Sequence, residues 1–464
     1  MISRIYTHWN KFVDYASQDR LLMGASRFRI VAGIAILFQY LSNYYNRHYL
    51  FGPDAAWSFQ TFREHIARES FSLYAFSSSL FWFELVFHLG IIITTLWLIG
   101  WRTRLMTILT YIFMWSLHER TPVLWDGGDN LIHLIFIYAF FANLGAYFSF
   151  DAERLQKARE RGGAGQQVLS IFHNAAILAF AIQLCLLYGV SGLYKVQGEM
   201  WQNGTALYYI MRIDEYSWPG VSELIYQNVF LVTAGTYATV AFQVAFPFLF
   251  VMNRYTRWVA LVGAFGFHLG IAAFMGLITF SAFMISVELA LIPDSEYCSI
   301  KQRIDRWRQN LVSRFIQWQH QLRRSPKLAP LRIQVLYDGW CPFCQKSIAR
   351  LQRLDTLQAL DVISFREPGV LSQFEIAPER AEARMQVYKN DKTLEGIDAV
   401  TCIATRLPLL WPVLPLLWIP QQLGLGQRVY DWFASRRTII PTGCDTHCEL
   451  QSTNQRQSTA SPHS

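Results

Sequence analysis

The chain has 464 residues, of which 52% are hydrophobic and only 16% are charged, and its formal net charge is +8. Soluble domains carry charge on about a quarter of their residues, so this composition excludes an ordinary soluble globular protein. The positive charge lies in short Lys/Arg clusters beside apolar segments. This pattern is typical of proteins that contact anionic lipid headgroups, and we expect no nucleic-acid partner.

Apolar segments long enough to cross a membrane recur over residues 1–292. The last of them is too long for one simple span, and Gly270 and Gly276 lie inside it, so it is interpreted as two segments or one sharply broken helix. The sequence therefore predicts a polytopic α-helical membrane domain with about seven to eight spans. The segments lie at about 28–45, 77–99, 104–118, 131–149, 168–190, 226–252 and 258–292.

The basic clusters also predict the orientation of the chain. With eight spans, GWRTR (100–104), ERLQKARER (153–161), NRYTR (253–257) and the basic run after residue 300 all fall on one face of the membrane. Lys and Arg favour the cytoplasmic side. We therefore expect a multi-pass protein of the inner (plasma) membrane, with its C-terminal domain in the cytoplasm.

Residues 293–330 are predicted to form a basic amphipathic linker helix, which SPKLAP (325–330) ends. Apolar side chains recur at three- and four-residue steps, and Arg and Gln fill most other positions. Such a helix lies on an anionic lipid surface; the alternative is a linker helix packed on protein. The apolar stripe consists of Ile304, Trp307, Leu311, Phe315, Trp318 and Leu322.

The hydrophobic period changes after residue 330, which indicates a separate domain over 331–450. LRIQVLYDG predicts a strand, CQKSIARLQRL a helix and LDVISF a second strand, and ARMQVYKNDKTLEGI predicts a hairpin around Asn390 and Asp391. This order is typical of a small α/β domain. The polar residues 451–464 are expected to form a disordered tail.

The segment YDGWCPFCQKS places Cys341 and Cys344 between the first predicted strand and its helix. A thiol at a helix N-terminus is stabilised as the thiolate, and Pro342 suits the first helical turn. The C-x-x-C spacing allows the pair to form a disulfide or to resolve a mixed one. We therefore predict redox catalysis, with Cys341 as the exposed attacking sulfur, Cys344 as the resolving sulfur, and Asp338 close enough to influence proton transfer.

Two other roles for the pair stay open. Cys444, His447 and Cys448 offer further metal ligands, so the first alternative is a zinc site. The second is a pair of unreactive core cysteines. One C-x-x-C supplies only two ligands, and no metal ligand set is predicted.

The residues DGWCPFC, with GIDAV further on and VYDWFASRR near the end of the domain, resemble the DCC family of thiol–disulfide oxidoreductases. The family's Asp-x-x-Cys-x-x-Cys motif is matched by Asp338, Cys341 and Cys344. The resemblance covers 331–450 and implies a thioredoxin-like fold. Thioredoxins have a cis-proline facing the C-x-x-C pair, whereas this sequence has Ala-Arg-Met (383–385) near the corresponding strand.

Three stretches of the membrane domain contain polar groups that are costly in a membrane. LHERTPVLWDGGDNLIH contains Asp129 and His133, GVSGLYKVQGEMWQNGTALYY contains Lys195 and Trp201, and GFHLG contains His268. Ionisable groups within a membrane are candidate functional residues, and a lysine deprived of water can act as a base. The structural alternatives are helix capping for Asp129, snorkelling for Lys195 and helix packing for His268.

The stretches HERTPVLWDGGDNLI, YGVSGLYKVQGEMWQNGTA and FHLG followed by FMGLITFS, in this order, resemble the HTTM membrane family. That family is related to vitamin K-dependent gamma-carboxylase. The resemblance covers nearly all of the membrane domain and implies that Lys195 is the base that deprotonates a reduced quinone. It also implies that Asp129, His133, Trp201 and His268 help to bind that quinone.

These features predict a membrane-anchored thiol–disulfide oxidoreductase of the protein-disulfide reductase type. Its partner would be a thiol- or disulfide-bearing protein or a small thiol, and a quinone in the membrane domain would exchange electrons with the thiols. One alternative is a carboxylase- or epoxidase-like membrane enzyme, in which the C-x-x-C domain has a supporting role. Another is an accessory protein of peptide maturation, in which the cysteines bind zinc.

Overall fold

The computed structural model describes residues 13–434. The chain divides into two compact units, Met1–Gln302 and Arg303–Ser464. The boundary falls inside a long helix, whereas the sequence predicted a membrane domain over 1–292 and a linker over 293–330. Part of the predicted domain 331–450 and all of the predicted tail 451–464 lie outside the described residues.

The first unit is helical throughout its described part. Its core is built from the inward faces of the long helices and is rich in Phe, Ile and Ala. The helices are α1 (Leu22–Ser42), α2 (Arg47–Phe51), α3 (Phe59–Glu69), α4 (Leu80–Ile99), α5 (Thr103–Arg120), α6 (Gly127–Ala139), α7 (Ala152–Arg161), α8 (Ala164–Val196), α9 (Glu199–Gln202), α10 (Ala206–Ile210), α11 (Glu223–Tyr226), α12 (Val229–Met252), α13 (Arg254–Met275), α14 (Ile278–Ala290) and α15 (Asp294–Arg324), which continues into the second unit.

Five helices within residues 13–434, namely α1, α4, α8, α12 and α13, are long and apolar enough to cross a membrane. The pair α14 and α15, bent by 101° at its break, adds a sixth if it is counted as one span. Seven to eight spans are therefore not confirmed. Helix α6 has 13 residues, a rise of about 20 Å against a hydrocarbon core of about 30 Å. Helix α5 contains Arg104, Glu119 and Arg120.

The long apolar segment 258–292 breaks at Gly276, one of the two glycines at which a break was expected. Helix α13 runs through Gly270 and ends at Met275, and Gly276 follows in the left-handed conformation with φ +71°. A side chain is strained there, which explains why glycine occupies the break. The expectation of a break is confirmed at Gly276, and the suggestion that Gly270 interrupts the helix is wrong.

Arg29 of α1 is fully buried and joins the last turn of α4 to the turns that follow α6. Its Nε donates to the carbonyl of Leu144 at 3.0 Å, its Nη1 to Trp97 at 2.9 Å, and its Nη2 to Phe148 at 2.6 Å. The last carbonyls of a helix have no partner within the helix. The Arg29 guanidinium therefore donates hydrogen bonds to buried carbonyl oxygens that water cannot reach.

The second unit contains a four-stranded mixed sheet. The strands are β1 (Ile333–Tyr337), β2 (Leu360–Ser364), β3 (Gln386–Lys389) and β4 (Lys392–Glu395), in the order β2-β1-β3-β4. Strands β1 and β2 are parallel, with Val335 opposite Val362, and the other pairs are antiparallel. Asn390 and Asp391 have φ of 48° and 58°, as a tight hairpin turn requires. The predicted strand–helix–strand and hairpin order is confirmed.

The remaining helices of this unit pack against the sheet or extend from it. They are α16 (Pro342–Leu354), α17 (Val370–Gln373), α18 (Pro378–Ala383), α19 (Ile397–Arg406), α20 (Leu414–Gln422) and α21 (Gly426–Ala434). The proline-rich apolar segment 407–420 forms a 3-10 turn, Pro408–Val413, and then α20, which is too short to cross a membrane.

Helix α15 is one continuous helix over most of the predicted linker. Its apolar stripe is not covered by other parts of the described chain: Trp307, for example, is 65% exposed, and Ile304, Leu311, Phe315 and Trp318 are exposed as well. Packing of this stripe on the protein itself, the alternative raised by the sequence, is therefore not seen.

Candidate functional site

The C-x-x-C pair lies where β1 passes into α16. Cys341 has an extended backbone (φ −91°, ψ 110°) and is the N-cap residue, and Pro342 occupies the first helical turn. The Cys341 Sγ accepts a hydrogen bond from the backbone N–H of Cys344 at 3.2 Å. The prediction that the helix begins directly after Cys341 is confirmed, and the sulfur faces the positive end of the helix dipole.

Neither cysteine of the pair is exposed. Cys341 is 0% exposed and Cys344 is 5% exposed. The expectation that Cys341 is an exposed sulfur is therefore wrong, because its side chain turns back over the first helical turn to accept the N–H of Cys344. Cys344 lines an apolar cavity of about 320 Å³, together with Phe343, Met385 and Tyr430.

Asp338 is held by Arg366, which no sequence motif singles out. Arg366 Nε donates to one carboxylate oxygen at 3.0 Å and Nη2 to the other at 2.9 Å, and the Trp340 N–H donates to the first oxygen at 2.9 Å. The guanidinium lies 4.4 Å from the centre of the Trp340 ring. The hydrogen bonds to Asp338 raise the pKa of Arg366 above its usual value. Asp338 and Arg366 thus form a bidentate ion pair, which holds the turn before Cys341 in place.

The segment before β3 has no proline. Met385 lies there, and its N–H donates to the Tyr430 hydroxyl at 2.8 Å, whereas its carbonyl accepts the N–H of Gly396 at 3.1 Å. Residues 13–434 contain no cis peptide bond. The backbone at this position is therefore engaged within the domain, and Tyr430 closes one side of the cavity beside Cys344.

In the first unit, three of the predicted residues line one cavity of about 640 Å³: Lys195, Trp201 and His268. Lys195 Nζ donates to Ser191 Oγ at 2.6 Å and lies 5.2 Å from the centre of the Trp201 ring. Helices α8 and α12 approach closely beside this site, because a Cβ on Gly192 would lie only 2.9 Å from the backbone N of the neighbouring helix.

A buried polar cluster adjoins the same cavity. The Tyr188 hydroxyl lies 2.8 Å from His268 Nε2 and donates to Glu288 Oε1 at 3.0 Å. Tyr188 and Gln243 line the cavity with His268, whereas Glu288 lies behind them on α14. Sequence reasoning singled out only His268. The available signal for Glu288 was a single acidic residue in the apolar run SAFMISVELA.

Asp129 and His133 lie in a different network and do not line this cavity. His133 Nε2 is 3.0 Å from His118 Nδ1, His118 Nε2 is 3.1 Å from the Gln39 side-chain oxygen, and Gln39 donates to Asp129 at 2.8 Å. Asp129 also accepts the backbone N–H of Asp126 at the start of α6. The expected grouping of Asp129 and His133 with Lys195 in one cavity is therefore not observed.

Metal ligands were considered as an alternative for the cysteine pair. Within residues 13–434, no group of three or more His, Cys, Asp or Glu side chains is arranged to hold a metal ion. Cys444, His447 and Cys448, which the zinc alternative requires, lie outside the described residues.

Two curated proteins of Bacillus subtilis (strain 168) are similar to this chain. The sporulation-delaying protein SdpB is 25% identical over 214 residues, which cover 44% of this chain and 62% of SdpB. The uncharacterized protein YitO is 26% identical over 202 residues, which cover 42% of this chain and 63% of YitO. The chain thus spans less than two thirds of the length of either relative. No solved structure matches it.

A family model matches the part of the chain that contains the cysteine pair. The match covers residues 335–442, and the family is described as DCC1-like thiol-disulfide oxidoreductase. It includes Asp338, Cys341 and Cys344, so the motif noted in the sequence falls inside it. The C-terminal part of this chain therefore carries a DCC1-like thiol–disulfide oxidoreductase domain.

Proposed function

We propose that the protein is a membrane-anchored thiol–disulfide oxidoreductase that reduces disulfides through Cys341 and Cys344. The observation that carries the proposal is the placement of Cys341 as the N-cap of α16, with its sulfur hydrogen-bonded to the N–H of Cys344, inside the family-matched domain. In this placement the backbone N–H groups at the start of α16 face the sulfur that would attack a disulfide. The partner is a disulfide-bearing protein or a small disulfide.

The reaction is a two-step exchange. The Cys341 thiolate attacks one sulfur of the substrate disulfide, and the other substrate sulfur leaves as a thiolate, which takes up a proton. The Cys344 thiolate then attacks the Cys341 sulfur of the mixed disulfide and releases the second substrate thiol. Two electrons pass to the substrate, and the pair becomes a disulfide. Because both sulfurs are buried, the turn at 338–341 opens for the first step.

The test is reduction of glutathione disulfide by the pre-reduced full-length protein in detergent. Cys341→Ser is expected to abolish the reaction, and Cys344→Ser is expected to stop at a mixed disulfide with glutathione that mass spectrometry finds on Cys341. Cys298→Ser, which removes an exposed cysteine on α15, is the matched control and is expected to leave the reaction unchanged. Full activity of Cys341→Ser would refute the proposal.

The C-terminal domain is proposed to be thioredoxin-like and to lie in the cytoplasm. The whole chain is proposed to be an inner (plasma) membrane protein with seven to eight segments in the membrane. The parallel pair β1 and β2 joined through α16, followed by the antiparallel hairpin, supports the fold. The basic clusters support the orientation. A pair in the reducing cytoplasm acts as a reductant. A reporter fused after residue 464 that is active only in the periplasm would contradict this orientation.

The cavity of the first unit supports a quinone as ligand. Its volume, about 640 Å³, is in the range of small-molecule sites, and its wall is mostly apolar with a few polar groups. Lys195 at one end and the unpaired atoms His268 Nδ1 and Gln243 Oε1 in the wall suit the hydroxyl groups of the reduced ring, the hydroquinone. When bound, the quinone would supply two-electron redox chemistry, with Lys195 as the base and Trp201 beside it.

Lys195→Met separates this proposal from a carboxylase- or epoxidase-like enzyme. If the quinone serves the thiols, the variant still exchanges disulfides, but added menadiol no longer reduces the Cys341–Cys344 disulfide back to two thiols. If the membrane unit is instead a carboxylase- or epoxidase-like enzyme, the variant loses carboxylation or epoxidation but still reduces glutathione disulfide normally. Asp129 and His133 belong to the separate network with His118 and Gln39. We propose that their role is structural and that they do not contact the quinone.

An anionic lipid surface is proposed as the partner of α15. The helix is 31 residues long, its apolar stripe is exposed, and basic side chains flank the stripe. It leaves α14 at an angle of 101°, so it lies nearly parallel to the membrane if α14 runs along the membrane normal. These features are those of interfacial helices.

A further inference from the structure

We infer that Tyr188, His268 and Glu288 form a proton relay in the wall of the large cavity, which takes a proton from a hydroxyl group of the bound ligand. The inference rests on the proposed quinone site and assigns roles to two residues, Tyr188 and Glu288, to which the sequence analysis gave no role. The three side chains come from α8, α13 and α14, and they meet in a chain of short contacts: His268 Nε2 to Tyr188 Oη at 2.8 Å, and Tyr188 Oη to Glu288 Oε1 at 3.0 Å.

The three side chains are almost fully removed from solvent. Tyr188, His268 and Glu288 are 0%, 1% and 2% exposed. Within residues 13–434, Glu288 makes no ion pair with Lys or Arg, and its nearest ionisable base is His268 Nε2 at 3.6 Å. Burying a carboxyl group without a Lys or Arg partner costs free energy of folding. A buried ionisable group of this kind is therefore expected to have a functional reason.

Two polar atoms in the cavity wall are available to hydrogen-bond with a ligand. His268 Nδ1 and Gln243 Oε1 have no hydrogen-bond partner within the described chain, and both residues line the cavity. Each such atom costs about 1–3 kcal/mol when it stays unpaired. Each of these atoms can accept a hydrogen bond from a hydroxyl group of a ligand in the cavity, and an apolar pocket with a few directing polar groups is the usual design of a small-molecule site.

The contacts allow two proton arrangements. In the first, Glu288 is ionised and accepts the Tyr188 O–H, the Tyr188 oxygen accepts the His268 Nε2–H, and His268 Nδ1 is an acceptor. In the second, Glu288 carries the proton and donates to Tyr188, Tyr188 donates to His268 Nε2, and Nδ1–H is a donor. The first arrangement binds a hydroxyl group, and the second binds an oxygen that has lost its proton.

The relay moves between these arrangements by three short transfers. His268 Nδ1 accepts the hydroxyl proton of the ligand, His268 Nε2 gives its proton to the Tyr188 oxygen, and Tyr188 gives its own proton to Glu288 Oε1. The balance is one proton moved from the ligand oxygen to Glu288. The oxygen keeps its electron pair and accepts a hydrogen bond from His268 Nδ1–H, and no electron is transferred to the protein.

The relay and Lys195 lie at different places along one helix face. Tyr188 and Lys195 are seven residues apart on α8, a rise of about 10 Å, and their side chains both line the cavity. A hydroquinone has hydroxyl groups at opposite positions of its ring, so one molecule can be hydrogen-bonded at both ends in the same cavity. Lys195 then serves one hydroxyl group of a hydroquinone, and the relay serves the other.

The test uses menadiol and the full-length protein in detergent. Binding is followed by quenching of tryptophan fluorescence, since Trp201 lines the cavity. Proton arrival at Glu288 is followed by infrared difference spectroscopy, as gain of the carbonyl stretch of a protonated carboxylic acid when menadiol binds. The variants are Glu288→Gln, which cannot hold the proton, and Tyr188→Phe, which breaks the chain. Ser281→Ala, a buried polar residue of α14 outside the cavity wall, is the matched control.

The wild type and Ser281→Ala are expected to bind menadiol and gain the carboxylic acid band. Both relay variants are expected to lose the band, and Tyr188→Phe is expected to bind menadiol about tenfold more weakly. A band that persists in Tyr188→Phe, or menadiol binding to the wild type without any band, would overturn the relay and leave the quinone site standing. Failure of both menadiol and menadione to quench the wild type would overturn the quinone site as well.

Discussion

Replacing Arg366 by Met is expected to free the turn that carries Cys341. Arg366 makes two charge-assisted hydrogen bonds, at 3.0 and 2.9 Å, to Asp338, whose side chain is only 4% exposed. Removing one partner of a buried ion pair costs about 3–5 kcal/mol. The Arg366 side chain is itself 17% exposed, so we expect a loss near the lower limit, about 3 kcal/mol. That loss raises the opening constant of the turn by about 100-fold.

Alkylation of Cys341 measures this opening. The sulfur is fully buried, so iodoacetamide reacts only when the turn opens, and the labelling rate follows the population of the open state. The full-length protein in detergent is labelled under native conditions, and the peptide that contains Cys341 is quantified by mass spectrometry. We expect labelling about 100-fold faster in Arg366→Met than in the wild type.

Arg380→Met is the matched control. Arg380 also makes two hydrogen bonds to a carboxylate, at 3.2 and 2.9 Å from Glu395, but its side chain is 66% exposed. Exposed ion pairs contribute less than about 1 kcal/mol, so this variant is expected to label less than about fivefold faster. Equal acceleration in both variants, or none in Arg366→Met, would refute the assignment of Asp338 and Arg366 as the support of the turn.

Three further results are expected. Cys341→Ala should lower the free energy of unfolding by about 1 kcal/mol relative to Cys341→Ser, which keeps the N-cap, and equal urea midpoints would contradict that role. Spin labels at Leu311→Cys and Ser313→Cys, about 200° apart on α15, should contact lipid and water respectively in anionic vesicles, and equal accessibility to oxygen would exclude an interfacial helix. The hydrogen bond from Arg384 lowers the pKa of Asp431. Its contribution, below about 1 kcal/mol, is present above pH 3.8 and disappears as the pH falls through the lowered pKa, so Arg384→Gln should differ from the wild type in stability at pH 7 but not in strong acid.

Local signals in the C-terminal domain were sufficient to predict its element order. Alternating apolar residues marked β1 and β2, Asn390 and Asp391 marked the hairpin turn, and Pro342 marked the start of α16. The burial of Cys341 was not predictable, because a cysteine before a proline gives no sign of which way its side chain turns. Its direction depends on the N–H of Cys344, which is positioned to donate a hydrogen bond to the Cys341 sulfur only once the helix has formed.

The membrane unit was harder to predict because its polar contacts join distant parts of the chain. Lys195, Trp201 and His268 were selected and do line one cavity. Tyr188 was missed because a tyrosine in an apolar helix is common, and Glu288, its partner, lies 100 positions later in the chain. The predicted span count is not confirmed, because apolar segments such as 131–149 contain helices of only 13 residues.

The buried Arg29 has a consequence for the biogenesis of this protein. Helix α1 precedes in the chain all three residues whose carbonyl groups satisfy the Arg29 guanidinium, which are residues 97, 144 and 148. Until the ribosome has delivered those residues, the charge has no proper partners in the lipid phase. Helix α1 thus reaches its final set of hydrogen bonds only after residue 148 has been synthesised, and a product truncated before residue 144 would leave the Arg29 guanidinium without the carbonyl groups of residues 144 and 148.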